Sequence, residues 1–86
     1  MAVEASSMPL YARANGGSTP PLLMNPDPSW TVKFFTKVGQ RGLYVKLPAP
    51  VAAFRSSDGT RLDPDTALGD LGLLPYEMVE FRTVDA

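Results

Sequence analysis

The chain has no cysteine and no histidine. The first absence excludes disulfides, thiolate catalysis and cysteine zinc sites, and with them any argument for an oxidising compartment. The second removes the commonest general base and the commonest metal ligand. No Ser-His-Asp or Cys-His set can therefore be assembled, and an enzyme is not expected. Long apolar runs are missing too, and nothing approaches the roughly 18 residues a membrane span needs. The opening Met1-Ala2-Val3-Glu4-Ala5-Ser6-Ser7 carries an acid and no base, so it does not read as a secretory signal. The expected location is cytoplasmic, or the interior of a virion.

What is present divides unevenly. At 86 residues the chain has room for one domain, and a small one is marginal in core without help. Residues 1–29 contain Pro9, Pro20, Pro21, Pro26 and Pro28 with Gly16 and Gly17, a density of breakers that argues against a long helix or central strand. They read as an extended N-terminal arm. The arm nevertheless spends large apolar side chains, Leu10 and Tyr11, then Leu22, Leu23 and Met24. Side chains of that kind are expected to lie against a surface, either the chain's own or a partner's.

From residue 30 the pattern alternates, and residues 30–86 read as a small β-rich domain. Trp30, Val32, Phe34 and Thr36 interleave with Thr31, Lys33, Phe35 and Lys37, which predicts a strand. Gly39 and Gly42 supply a tight connection to a second strand, Leu43 to Leu47, and the two make a hairpin. Pro48 and Pro50 end it. Val51 to Arg55 predicts a third strand, Ser56-Ser57-Asp58-Gly59 a turn, Ala67 to Leu71 one turn of helix stopped at Gly72, and Glu77 to Val84 a last strand with Val79 and Phe81 on one side.

Charge is split along the chain. Residues 30–61 carry Lys33, Lys37, Arg41, Lys46, Arg55 and Arg61 against Asp58, a net of +5; residues 62–86 carry six acids against Arg82, a net of −5. Folded together these largely neutralise. Asp63, Asp65 and Asp70 cluster, but Pro64, Ala67 and Leu68 break the ligand spacing of a calcium loop, so capping and turn roles are expected and no metal or cofactor.

The closing stretch, Gly59 and Leu62 through Thr66, Leu68, Asp70, Gly72 and Leu73 to Val79-Glu80-Phe81, resembles the end of ubiquitin-like β-grasp domains. Trp30 to Leu47 is similar to that family's opening hairpin. The resemblance implies burial of Leu62, Leu68, Leu73, Val79 and Phe81 and a left-handed backbone at Gly72. It implies neither conjugation nor sulfur carriage, because Thr83-Val84-Asp85-Ala86 lacks the diglycine of the modifiers. Positions matching ubiquitin's apolar recognition patch read Ser56, Glu80 and Arg82, so the usual ubiquitin receptors are not expected to bind. The family's central helix has no place between residues 47 and 51, where Pro48 and Pro50 stand.

The expected fold is therefore mainly β or α+β: a β-grasp-like sheet or compact barrel of about four strands, with one short helical turn and an extended arm. Its sheet would be short of cover, supplied by the arm or by a partner. The function expected is that of a non-catalytic, protein-binding accessory or structural subunit of a larger assembly, docking through Leu10, Tyr11, Leu22, Leu23, Met24, Lys33, Phe35 and Lys37. Two alternatives stand beside it. One is a small nucleic-acid-binding β-barrel that uses Lys33, Lys37, Arg41 and Lys46 around a displayed Phe35. The other is a capsid or tail component of a virion.

Overall fold

The structure, a computed structural model, describes residues 8–14 and 20–84. Four strands form one sheet: β1 (Leu10–Ala14), β2 (Leu22–Met24), β3 (Val51–Arg55) and β4 (Glu77–Thr83), in the order β2-β1-β4-β3. β1 pairs antiparallel with β2 and parallel with β4, while β3 pairs antiparallel with β4. One helix, α1 (Val32–Gly42), lies between β2 and β3 in sequence, and a single 3-10 turn at Leu68–Asp70 precedes β4. The sheet is open at β2 and β3, so it is not a closed barrel.

The expected hairpin from Trp30 to Leu47 is corrected to α1 and its trailing loop. The helix buries Val32, Phe35, Thr36 and Gly39, a spacing of three, four and seven that makes one helical stripe. Val32, Phe34 and Thr36 also recur at two-residue spacing, which is why the run reads as a strand. Thr31 caps the start, its Oγ1 accepting the Phe34 amide at 3.2 Å. The end is a left-handed stop at Tyr44 (φ 57°), with the Tyr44 amide donating to the Arg41 carbonyl at 3.1 Å and the Val45 amide to the Gln40 carbonyl at 3.1 Å.

The expected arm is corrected as well. Leu10–Ala14 and Leu22–Met24 are two of the four strands, so the sheet runs across the boundary placed at residue 29. Gly16 and Gly17, like the closing Asp85-Ala86, lie outside the described residues. The prolines flank the strands and do not interrupt them, so the ladder loses no donor. The helix that the sequence lacked between residues 47 and 51 is supplied earlier, and the sheet is not short of cover on that side.

The core sits between α1 and the inner face of the sheet. Leu10, Ala12, Val32, Phe35, Ala53, Leu62, Leu68, Val79 and Phe81 form it, with Phe35 and Phe81 meeting edge to face at 5.8 Å. Leu22, Met24 and Leu73 pack partly buried against it. These downstream expectations hold: β3 stands where a short apolar run placed it and β4 where alternation did, Val79 and Phe81 point inward, the helical turn falls at Leu68–Asp70, and Gly59 and Gly72 take φ of 76° and 71°. Asp63 Oδ1 accepts the Asp65 amide at 2.9 Å, a turn role, but the expected capping is not made: Ala67 precedes the 3-10 turn, which has no side-chain cap among the described residues.

Candidate functional site

Strand parity decides which side chains the sheet turns away from α1. On β1 these are Tyr11 and Arg13, on β4 Met78, Glu80 and Arg82; Leu23 of β2 stands opposite Tyr11, and Phe54 of β3 opposite Glu80. No element covers this outer face among the described residues. It has a charged centre and an apolar end.

The centre is a knot on Glu80, whose side chain is only 9% exposed. Arg82 donates to Glu80 Oε1 from Nε at 3.1 Å and from Nη2 at 3.0 Å, and Arg13 Nη2 lies 3.6 Å from Oε2. Arg82 also stacks over the Phe54 ring at 4.4 Å. Two guanidiniums on one carboxylate leave this region net positive. The Arg13 Nε is buried without a hydrogen-bond partner among the described residues, at a cost in desolvation.

The apolar end is built from Leu23, Tyr11, Met78 and Tyr76. Leu23 is 46% and Tyr76 60% exposed, and the Tyr11 and Tyr76 rings sit 6.3 Å apart. Tyr76 holds φ 64°, a left-handed conformation uncommon for a bulky residue, fixed by its amide donating to the Pro9 carbonyl at 2.7 Å. Glu77, next along, is tied by Arg55 Nε at 2.6 Å and the Leu74 amide at 2.9 Å. Tyr76 is therefore presented from a braced position.

The expected docking residues separate into three groups. Tyr11 and Leu23 stand on the outer face. Leu10 and Phe35 are fully buried in the chain's own core, and Leu22 and Met24 pack against it, so these four are structural; Phe35 is not displayed, and its exposed neighbour is Phe34. Lys33 and Lys37 are exposed on α1, away from the outer face. Burial of Phe35 removes the aromatic from the nucleic-acid alternative. Met78, Tyr76 and Phe54 were not singled out from sequence, although the alternation already placing Glu80 and Arg82 outward extends to Met78. Glu80 and Arg82 do share this face, whereas Ser56 lies beyond the end of β3 and gives its amide to the Met78 carbonyl.

The sheet order β2-β1-β4-β3, its parallel central pair and the helix packed across one face form one topology, and the solved structures that share it decide the fold. A protein designed de novo on the basis of ubiquitin superposes with a TM-score of 0.75 at 19% identity, covering 96% of this chain and 95% of its own. This is a ubiquitin-like β-grasp fold. The ubiquitin of Caldiarchaeum subterraneum has a TM-score of 0.73 at 18% identity, with 93% and 96% covered. A chain of a toluene 4-monooxygenase complex with the inhibitor 4-bromobenzoate has a TM-score of 0.74 at 13% identity, with 92% and 100% covered. No family model matches the chain, and no curated protein does. Among the described residues no helix of this β-grasp chain is long and apolar enough to cross a membrane.

Proposed function

We propose that this β-grasp chain is a non-catalytic accessory subunit that binds a protein partner through the outer face of its sheet. The observation that carries the reading is the apolar end of that face. Leu23, Tyr11, Met78 and Tyr76 are gathered from three strands and the loop before β4, beside the positive knot on Glu80. Aromatics backed by rigid strands and ringed by arginine make the usual centre of a protein contact. That the same fold occurs as one chain of a monooxygenase complex supports a place in an assembly.

The test is affinity purification of the full chain from its own cells, with quantification of co-purifying proteins. A stoichiometric partner should be retained by wild type and by Lys37→Glu and lost from Leu23→Asp and Tyr76→Asp, all four proteins being folded by circular dichroism. The same partner held equally by both outer-face variants, or none held in stoichiometric amount by wild type, removes the reading.

A further inference from the structure

On the opposite side of the domain, α1 and β3 enclose a groove of about 720 Å³. Its floor is apolar, formed by Val32, Val51, Ala53 and Leu62. Its rim is basic: Lys33, Lys37 and Arg41 rise from α1, Lys46 from the following loop, and Arg61 from the far wall. No carboxylate lines it, and none of the five cations is in an ion pair among the described residues, where the pairs use Arg13, Arg55 and Arg82. The positive half of the chain's charge split is thus concentrated here and left uncompensated.

The groove also contains the open end of a strand edge. In an antiparallel ladder alternate residues turn both backbone groups away from the partner strand. The Val84 amide donates to Pro50 and the Ser56 amide to Met78, so the even positions of β3 face β4 and the odd ones face outward. Three of the outward groups are used, where residues 60–62 bridge the strand at Phe54 and Arg61: the Ala53 carbonyl accepts the Leu62 amide, the Arg55 amide donates to the Thr60 carbonyl and the Arg55 carbonyl accepts the Gly59 amide. Beyond that bridge, the Val51 amide and carbonyl have no partner on that side among the described residues.

We infer that this groove is a second binding site, distinct from the outer face, which takes a short extended peptide carrying acidic and apolar residues in alternation. Its backbone bonds to the amide and carbonyl of Val51, continuing along β3 the line of residues 60–62. Apolar side chains of the peptide descend on Val32 and Leu62, and carboxylates meet Lys37, Arg41 and Arg61. A single-stranded nucleic acid would satisfy the cations but not the strand edge, and no exposed aromatic lies in the groove to stack a base.

The probe is a short fluorescent peptide alternating glutamate with valine, compared with copies carrying glutamine or lysine for glutamate and with oligothymidylate. Fluorescence anisotropy should show the acidic peptide binding at least about tenfold tighter than the glutamine copy, with loss on raising salt. The exposed-site double variant Lys37→Glu with Arg61→Glu should weaken it by a similar factor, while Leu23→Asp leaves it unchanged. In amide NMR spectra the Val51 resonance should shift and its hydrogen exchange slow on saturation. Equal binding of the lysine copy, preference for oligothymidylate, or shifts that spare Val51 would each overturn the inference.

Discussion

The Phe81 ring fills the space that a side chain on Gly39 would need: a Cβ built there would stand 2.5 Å from Phe81 Cε2 and 2.6 Å from Cζ. Helix α1 can therefore approach the sheet closely at this point and only with glycine. Because Phe81 is fully buried, its ring has little room to yield. Gly39→Ala should destabilise the domain by about 1–3 kcal/mol through overpacking. Helix propensity alone would stabilise it by about 1 kcal/mol. The two effects differ in sign, so a urea denaturation midpoint below wild type decides for the contact and one above it decides against.

Glu77 holds the far corner together. Its carboxylate accepts from Arg55 Nε, the Leu74 amide and Ser57 Oγ at 2.6, 2.9 and 3.2 Å, joining β3, the turn after it and the loop before β4. Arg55 also donates to the Gly72 carbonyl at 3.0 Å. Glu77→Gln should cost about 2 kcal/mol, since charge-assisted bonds are lost around a group that is mostly buried. A double-mutant cycle with Arg55→Ala should return a coupling of about 1 kcal/mol, reduced by the partial exposure of Arg55. Independent, additive effects would contradict this picture.

Acid should find the same corner. Partial burial pushes the Glu77 carboxyl up, but the Leu74 amide and the Arg55 guanidinium outweigh it and hold it below the usual glutamate range. Asp27 and Asp58 are also held low, by hydrogen bonds from the backbone amides of Ser29 and Thr60. A lowered folded pKa means that the unfolded chain binds protons first. The stabilisation is then fully present above the ordinary carboxylate values, about pH 4, and is lost as pH falls through the folded ones. Denaturation midpoints should drop below about pH 4, and the drop should be shallower in Glu77→Gln. An acid limb identical in wild type and variant would show that Glu77 takes no part.

Tyr44 is 95% exposed and occupies the left-handed stop of α1, where glycine is the usual residue. Nothing is gained by its side chain in packing, and the conformation costs an L-residue about 1–2 kcal/mol. Tyr44→Gly should therefore stabilise the fold by about 0.5–1 kcal/mol, after the added chain entropy of glycine is offset. Tyr44→Val should do the reverse, because a β-branched side chain suits this region worst. Thermal melts of the two variants falling on opposite sides of wild type would bear this out; the same side would not.

Thr31 supplies the only side-chain cap at the start of α1 among the described residues. Thr31→Ala should cost about 1 kcal/mol and Thr31→Ser almost nothing, both read from denaturant midpoints. Equal losses in the two would assign the effect to packing of the threonine methyl, not to the cap.

The second half of the chain was legible because its signals are local. Gly59 and Gly72 sit where only a left-handed backbone closes the turn, and Val79 and Phe81 alternate with Glu80 and Arg82 on a strand long enough to show the period. The candidate site was legible in part, since Tyr11 and Leu23 could be picked out as large apolar residues. Their neighbours Tyr76 and Met78, and their separation from Leu10 and Phe35, depend on strand pairings between residues far apart in sequence.

Local chemistry alone thus specified a small histidine-free, cysteine-free domain with a β-grasp ending, an excess of cations before residue 62 and an excess of acids after it. It pointed to a strand and turn over residues 32–42, because Val32, Phe34 and Thr36 fit a strand and Gly39 argues locally for a turn, although Val32, Phe35, Thr36 and Gly39 form the helical stripe that is found. Folding resolved the choice at long range. β1, with two alanines inward, and the three-residue β2 complete the sheet only through pairing with β4 and each other, and that sheet then offers one apolar face, which a helix with a glycine opposite Phe81 fits and a further hairpin does not.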